Sequence, residues 1–152
     1  MAGHGGADAG PASRAHRVTA AGPKKDEFAA LLGIGVERLG PGRALATLAT
    51  DQRHANPHGT VHGAVFYAVA GAAVAAAAND DEHSGIVSSV LVEYLRPAAL
   101  GDVLRAEIAK EISTEREDIL TGTVSRDGGG GGAGGDLLAW VRARATRRSR
   151  TR

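Results

Sequence analysis

The run at residues 64–78 constrains this chain more than any other stretch. Ala72, Ala73, Ala75, Ala76, Ala77 and Ala78 crowd its second half. The loop before it, Ala55-Asn56-Pro57-His58-Gly59-Thr60-Val61-His62, is rich in turn formers. Alanine loses no side-chain entropy on entering a helix, so the run predicts a helix that begins at Gly63 and is ended by Asn79-Asp80-Asp81. With so little bulk it admits neighbouring backbone on every side, which predicts a sheet wrapped around it. The start of such a helix carries unpaired N–H groups and a partial positive charge, suited to an oxygen anion, and Gly63 leaves room for close approach. A purely structural helix after a glycine-containing turn is the alternative reading.

The rest of the chain supplies the sheet. Asp26 and Glu27 place acids in the first turn of a short helix, Phe28-Ala29-Ala30-Leu31-Leu32, which Gly33 closes. Residues 34–39 read as a strand, Pro41-Gly42 as a tight turn and 43–50 as the hairpin partner. A loop at 51–61 leads into the alanine helix. Four strands are expected after it, at 86–95, 103–112, 117–126 and 137–146. The second of these puts Leu104, Ala106, Ile108 and Ile112 on one face and Arg105, Glu107 and Glu111 on the other. That alternation fits an antiparallel sheet covered on one side. Residues 127–135, almost all glycine, are expected to be a long flexible hairpin connection; no helix is expected after them to make them a phosphate loop. The order predicts an α+β fold, one antiparallel sheet curled around one long helix.

Composition excludes several function classes. A chain of 152 residues fits one domain, and a formal net charge of +1 does not suggest bulk nucleic-acid binding. The absence of cysteine removes disulfides, thiolate nucleophiles and cysteine-ligated zinc. No histidine pair has a specific zinc spacing, so no metal is expected. No apolar run is long and bulky enough to span a bilayer, and the opening residues lack the basic-then-apolar order of a signal peptide. The cytoplasm is the expected location. Residues 1–22, with His4 and His16, are too poor in large apolar groups to offset their ordering entropy and are expected to be a disordered tail. The folded domain is expected at 23–146, with a basic tail at 147–152.

Asn56, then His62-Gly63 six positions on, the alanine helix, Asn79, and then Tyr94-Leu95-Arg96-Pro97-Ala98 and Gly101-Asp102 together resemble the hotdog-fold acyl-CoA thioesterases, specifically the PaaI-like (phenylacetate-degradation type) group. The resemblance covers about residues 26–146. It implies the hotdog fold, an acyl-CoA substrate, no cofactor and no membrane partner. The group usually has a second glycine where Ala64 stands, and a carboxylate, the general base or nucleophile, where Gly71 stands.

Hydrolysis of a thioester needs donors aimed at the developing oxyanion and a directed water. The resemblance assigns the donors to the amides of Gly63 and Ala64, and a water- or substrate-orienting role to Asn56, whose local reading is an Asx turn before Pro57. His62 belongs to the motif and is read as structural; His58 is the freer titratable group. Thr60, Ser88 and Ser89 could orient water. Asp51 reads as a turn former and Glu93 as a solvated strand charge. Arg96, and the C-terminal Arg142, Arg144, Arg147, Arg148, Arg150 and Arg152, are candidates for coenzyme A phosphates, although a solubilising tail is the plainer reading of the C-terminal group. Gly71 lies about 12 Å along the helix from Gly63, too far for both to serve one carbonyl within one chain. The resemblance resolves this with a homodimer or homotetramer in which one helix start faces the partner's helix middle. The expected activity is hydrolysis of an acyl-CoA to free acid and coenzyme A. The alternative is a catalytically weakened hotdog protein that binds acyl-CoA or a related ligand, and a structural or regulatory dimer is a third class.

Overall fold

Asp26 opens the first helix by accepting the Ala29 N–H on its side chain, and Gly33 ends it in a left-handed conformation. This is α1 (Glu27–Leu32). β1 (Gly35–Gly40) and β2 (Arg43–Ala49) follow, joined by a turn in which Gly42 has φ +69°. The long helix α2 (Gly63–Ala78) comes next, then β3 (His83–Tyr94), β4 (Val103–Ser113), β5 (Glu117–Arg126) and β6 (Asp136–Ser149). The computed structural model describes residues 25–80, 83–127 and 135–149. The expected N-terminal tail with His4 and His16, most of the glycine connection, and Arg150 and Arg152 lie outside the described residues.

The six strands form one sheet in the order β1-β2-β4-β5-β6-β3, every neighbouring pair antiparallel. α2 carries the chain from β2 across one face of the sheet to β3 at the far edge. Its buried residues, Val65, Phe66, Val69, Ala70, Ala73, Val74, Ala77 and Ala78, repeat at three- and four-residue steps and make one stripe against the sheet. Ala44, Ala46 and Leu48 of β2, Leu104, Ala106 and Ile108 of β4, and Ala139, Val141, Ala143 and Ala145 of β6 meet that face. Alanine on both sides brings helix and sheet close together. At Gly85 a Cβ would come within 2.5 Å of the Ala78 carbonyl oxygen, so only glycine lets β3 start this near the helix end.

The expected element order is present, with four differences. Gln52–His54 forms a 3-10 turn inside the loop before α2. β6 runs on to Ser149, so Arg147 and Arg148 are strand residues paired with Gly85 and Ser84 of β3. α2 is covered on one side only: Ala64, Tyr67 and Ala75 are exposed, and Ala68, Gly71 and Ala72 are half-buried. Ile112 does not join the inner face of β4 but is 50% exposed. The β4–β5 register shifts between Lys110 and Ile112, which turns Ile112 outward opposite Ile119. Lys110, before the shift, is largely buried and meets Asp80 and Asp118.

Candidate active site

The loop ahead of α2 is closed by its own polar groups. The Asn56 Oδ1 accepts from the N–H of His58 at 2.9 Å and of Thr60 at 3.2 Å, while its Nδ2 donates to the Thr60 Oγ1 at 2.8 Å. This is an Asx turn with its carbonyl oxygen fully engaged, leaving one amide N–H to offer elsewhere. Gly59 fits the turn with φ +80°. The base of the loop is clipped to its neighbours: the Val61 N–H donates to the Ala98 carbonyl, and the His62 N–H to that of His54. The segment holding Ala98 is itself fixed. The Asp102 carboxylate accepts from the Ala99 N–H and from Arg126, and the Thr50 hydroxyl donates to the Asp102 carbonyl.

His54, passed over in the sequence, is 2% exposed beneath this loop. Its Nδ1 accepts the Asp51 N–H at 2.9 Å, so Nε2 carries the proton and donates to the Leu32 carbonyl at 3.1 Å. The ring therefore ties the end of α1 to the loop. The signal for it was local: Asp51, three residues earlier, caps the same 3-10 turn. Arg53 donates to Asp51 through its side chain and its N–H, and these bonds hold the Asp51 carboxyl down from the usual 3.8 to about 2.

At the start of α2, His62 is the N-cap. Its Nδ1 accepts the Ala64 N–H at 2.9 Å, which engages one of the two expected oxyanion donors. The Gly63 N–H makes no hydrogen bond among the described residues. Tyr94 closes over this point. Its hydroxyl donates to the Gly63 carbonyl at 2.9 Å, and its ring meets Phe66 edge-on with centroids 5.7 Å apart. A Cβ on Gly63 would already stand 3.4 Å from the Tyr94 ring. Beside them lies a cleft of ≈ 340 Å³ lined by Asn56, Thr60, Val61, Gly63, Phe66 and residues 94–97. Arg96 stands at its rim, anchored by a 2.9 Å bond from Nη1 to the Leu137 carbonyl.

Asn56, Thr60, Gly63 and Arg96 thus converge on one cleft. Other candidates do not line it. Ser88 sits on β3 and donates to the Arg144 carbonyl, His58 is exposed, and Glu93 is exposed opposite Trp140. Gly71 lies two turns up the open side of α2, where a Cβ would meet no atom within 4 Å. A larger hollow of ≈ 580 Å³ lies around Thr114, Glu115, Arg116, Glu117 and Thr146. It surrounds an exposed hairpin tip and has no helix start to polarise a carbonyl, so the smaller cleft is the better candidate. Among the described residues no cluster of three His, Asp or Glu side chains could hold a metal ion, and no helix is long and apolar enough to cross a membrane.

Residues 19–129 match the family model described as a domain of unknown function, DUF4442. The acyl-coenzyme A thioesterase PaaI of Escherichia coli K12 is 30% identical over 83 residues, which are 55% of this chain and 59% of that protein. The chain thus spans well under two thirds of that relative's length. A solved variant of the phenylacetic acid degradation protein PaaI from Thermus thermophilus superposes with a TM-score of 0.73 at 28% identity, covering 81% of this chain and all of that one. A hypothetical thioesterase from Streptococcus pneumoniae, solved with coenzyme A, gives a TM-score of 0.68 at 13% identity over 78% of this chain and 91% of that one. With its six-stranded sheet and single long helix, the chain belongs to the DUF4442 family and has the hotdog fold of the PaaI-like thioesterases.

Proposed function

We propose that this chain is an acyl-CoA thioesterase that hydrolyses its substrate to a free acid and coenzyme A at the start of α2. The observation that carries the reading is the convergence of Asn56, Gly63 and Arg96 on one cleft. The thioester carbonyl oxygen lies toward the Gly63 N–H and the remaining Asn56 N–H. Both are fixed before substrate arrives, one by the helix and one by the Asx turn. The helix start adds its partial positive charge as the oxyanion forms. Arg96 keeps further guanidinium N–H groups for a phosphate of coenzyme A.

The site is completed by a second copy of the chain. Among the described residues β3 is a twelve-residue edge strand paired on one side only, with β6. Such an edge, next to the apolar open side of α2 and the exposed Ile86 and Leu91, favours pairing with its own copy about a two-fold axis. With Gly71 where the carboxylate usually stands, the attacking water has no general base there, a deficit of about 100- to 10,000-fold that leaves slow turnover. The same deficit, and the capping of the Ala64 N–H by His62, favour the second reading, a protein that binds acyl-CoA without consuming it.

Replacing Asn56 by alanine tests both. Thiol release from a panel of acyl-CoAs, with affinity measured in parallel, should fall by about tenfold or more, a fraction of the usual cost of an oxyanion donor, while circular dichroism stays native. Rate and affinity both unchanged would return Asn56 to its turn-forming role alone.

A further inference from the structure

Tyr94 belongs to the sheet, yet its hydroxyl ends on the helix. It closes β3 opposite Ala139 of β6, and the next two N–H groups, of Leu95 and Arg96, both donate to the Leu138 carbonyl, at 2.8 and 3.1 Å. Leu138 is fully buried, so Tyr94 is mounted on a fixed part of the sheet. From there its hydroxyl donates to the Gly63 carbonyl at 2.9 Å. The helix already supplies that carbonyl with an N–H four residues on, and Tyr94 is 54% exposed. Neither partner therefore needs the bond to avoid a buried unpaired group. Its effect falls on the backbone around Gly63. The peptide unit after Gly63 is held at both ends, by Tyr94 on the carbonyl and by the His62 Nδ1 on the Ala64 N–H at 2.9 Å. The unit before it is held through the His62 carbonyl, which accepts the Val65 N–H at 2.9 Å. Glycine has the most backbone freedom to lose, and here both flanking units are pinned. Gly63 and Tyr94 line the same cleft.

We propose that Tyr94 is a positioning residue: its hydroxyl fixes the backbone at Gly63 so that the Gly63 N–H is aimed at the thioester oxygen before substrate arrives. The inference rests on the thioesterase reading and deepens it by naming what aims the donor. A donor fixed in advance needs no reorganisation as the oxyanion forms. Tyr94 keeps its proton on the Gly63 carbonyl throughout and touches no reacting atom.

The test is Tyr94→Phe, which removes the hydroxyl and keeps the ring that meets Phe66 edge-on. In a thiol-release assay kcat should fall about five- to tenfold, less than the loss of a whole oxyanion donor, while KM moves by less than about twofold. Two hydrolysis-proof probes read the same effect without turnover. One is a phosphonate analogue of the acyl-CoA, whose charged oxygens stand where the oxyanion forms; the other is a thioether analogue lacking the carbonyl. Tyr94→Phe should bind the phosphonate about five- to tenfold more weakly and the thioether as well as the native protein does. If native protein hydrolyses nothing yet the selective phosphonate loss appears, the inference stands and the hydrolysis reading falls. Equal losses on both probes, or a loss of activity carried by KM alone, overturn the inference, because the hydroxyl would then shape the cleft. An unchanged kcat with unchanged affinity for both probes overturns it as well. A further measurement needs no variant: the backbone amide order parameter of Gly63 in the native protein should be about 0.85, the rigid value, and a value below about 0.6 overturns the inference.

Discussion

The two ends of α2 are built from the same small residues and treated in opposite ways. At the C-terminal end Asn79 bonds the last turn of the helix to the start of β3. The Asn79 Nδ2 donates to the carbonyls of Ala75 and Gly85, and its Oδ1 accepts the Gly85 N–H. Beside it Asp80 lies within salt-bridge reach of His83 and Lys110, and Lys110 also lies 3.1 Å from the fully buried Asp118. The Asp118 Oδ1 accepts the Ser113 hydroxyl at 2.6 Å, while its Oδ2 meets Lys110 close enough for charge attraction but off the geometry of a hydrogen bond. The Arg147 Nε, 3.5 Å from the same carboxylate, is held in the same way. At the N-terminal end a single histidine ring caps one amide, another amide is left open, and Arg96 stands at the rim of the cleft. One end of the helix is bonded into the fold; the other leaves the Gly63 N–H without a partner among the described residues.

The largest effect that separates the ends is expected at Asp118. Removing Asp118 strips the buried carboxylate from Ser113, Lys110 and Arg147 and leaves Lys110 with Asp80 alone, a loss near the lower end of the ~3–5 kcal/mol of a broken buried ion pair. Asp118→Ala should therefore lower the Tm by roughly 10 °C, read by thermal denaturation. Thiol release per folded molecule, measured well below that melt, should stay native. A drop in specific activity would mean that the sealed end takes part in the chemistry.

This difference between the ends was only half legible in the sequence. The open end is local. Asn56, Pro57, Gly59 and His62 lie within seven positions, and turn chemistry acts over that range, so the loop, the helix start and the Asx turn could be read from residue types. The sealed end depends on pairing between residues far apart. Lys110 meets Asp80 and Asp118, which lie 30 positions before it and across the β4–β5 turn, and the register slip after Lys110 turns out Ile112, which alternation alone had placed inside. Arg147 looked like part of a charged tail because the continuation of β6 is set by its partner β3 rather than by its own composition. His54 was hidden for a similar reason: its second partner, the Leu32 carbonyl, is 22 residues away. Tyr67 drew no notice within an apolar helical run, since nothing in periodicity distinguishes a packed aromatic from one left facing out.

A smaller effect is expected at the open end. The Asp51 carboxyl is held down to about 2 by Arg53 in the fold, below the 3.8 it would show when unfolded. A depressed carboxylate stabilises the fold above the unfolded value and loses that contribution as pH falls through the folded one. Melting followed against pH should find Asp51→Asn less stable than the native chain at about pH 6, with the gap narrowing below about pH 4 and closing toward about pH 2. Half of the Asp51 side chain is exposed, so solvent screening keeps the gap small. A gap that persists at the acid end would assign the effect to the turn geometry rather than to the charge.

We propose that the start of α2 is a thioester-hydrolysing site, completed by a second copy and short of one carboxylate at Gly71. Its most direct test is thiol release from an acyl-CoA panel by the native protein and by Gly71→Asp side by side. The position is open within the chain, since a Cβ meets nothing within 4 Å, and replacing a glycine inside a helix carries little backbone cost. Burial against the proposed second copy would raise the carboxyl's pKa, which suits a base working near neutrality. The account predicts that Gly71→Asp is faster than the native protein by about tenfold or more. A folded, dimeric Gly71→Asp protein that is no faster on any acyl-CoA would contradict it.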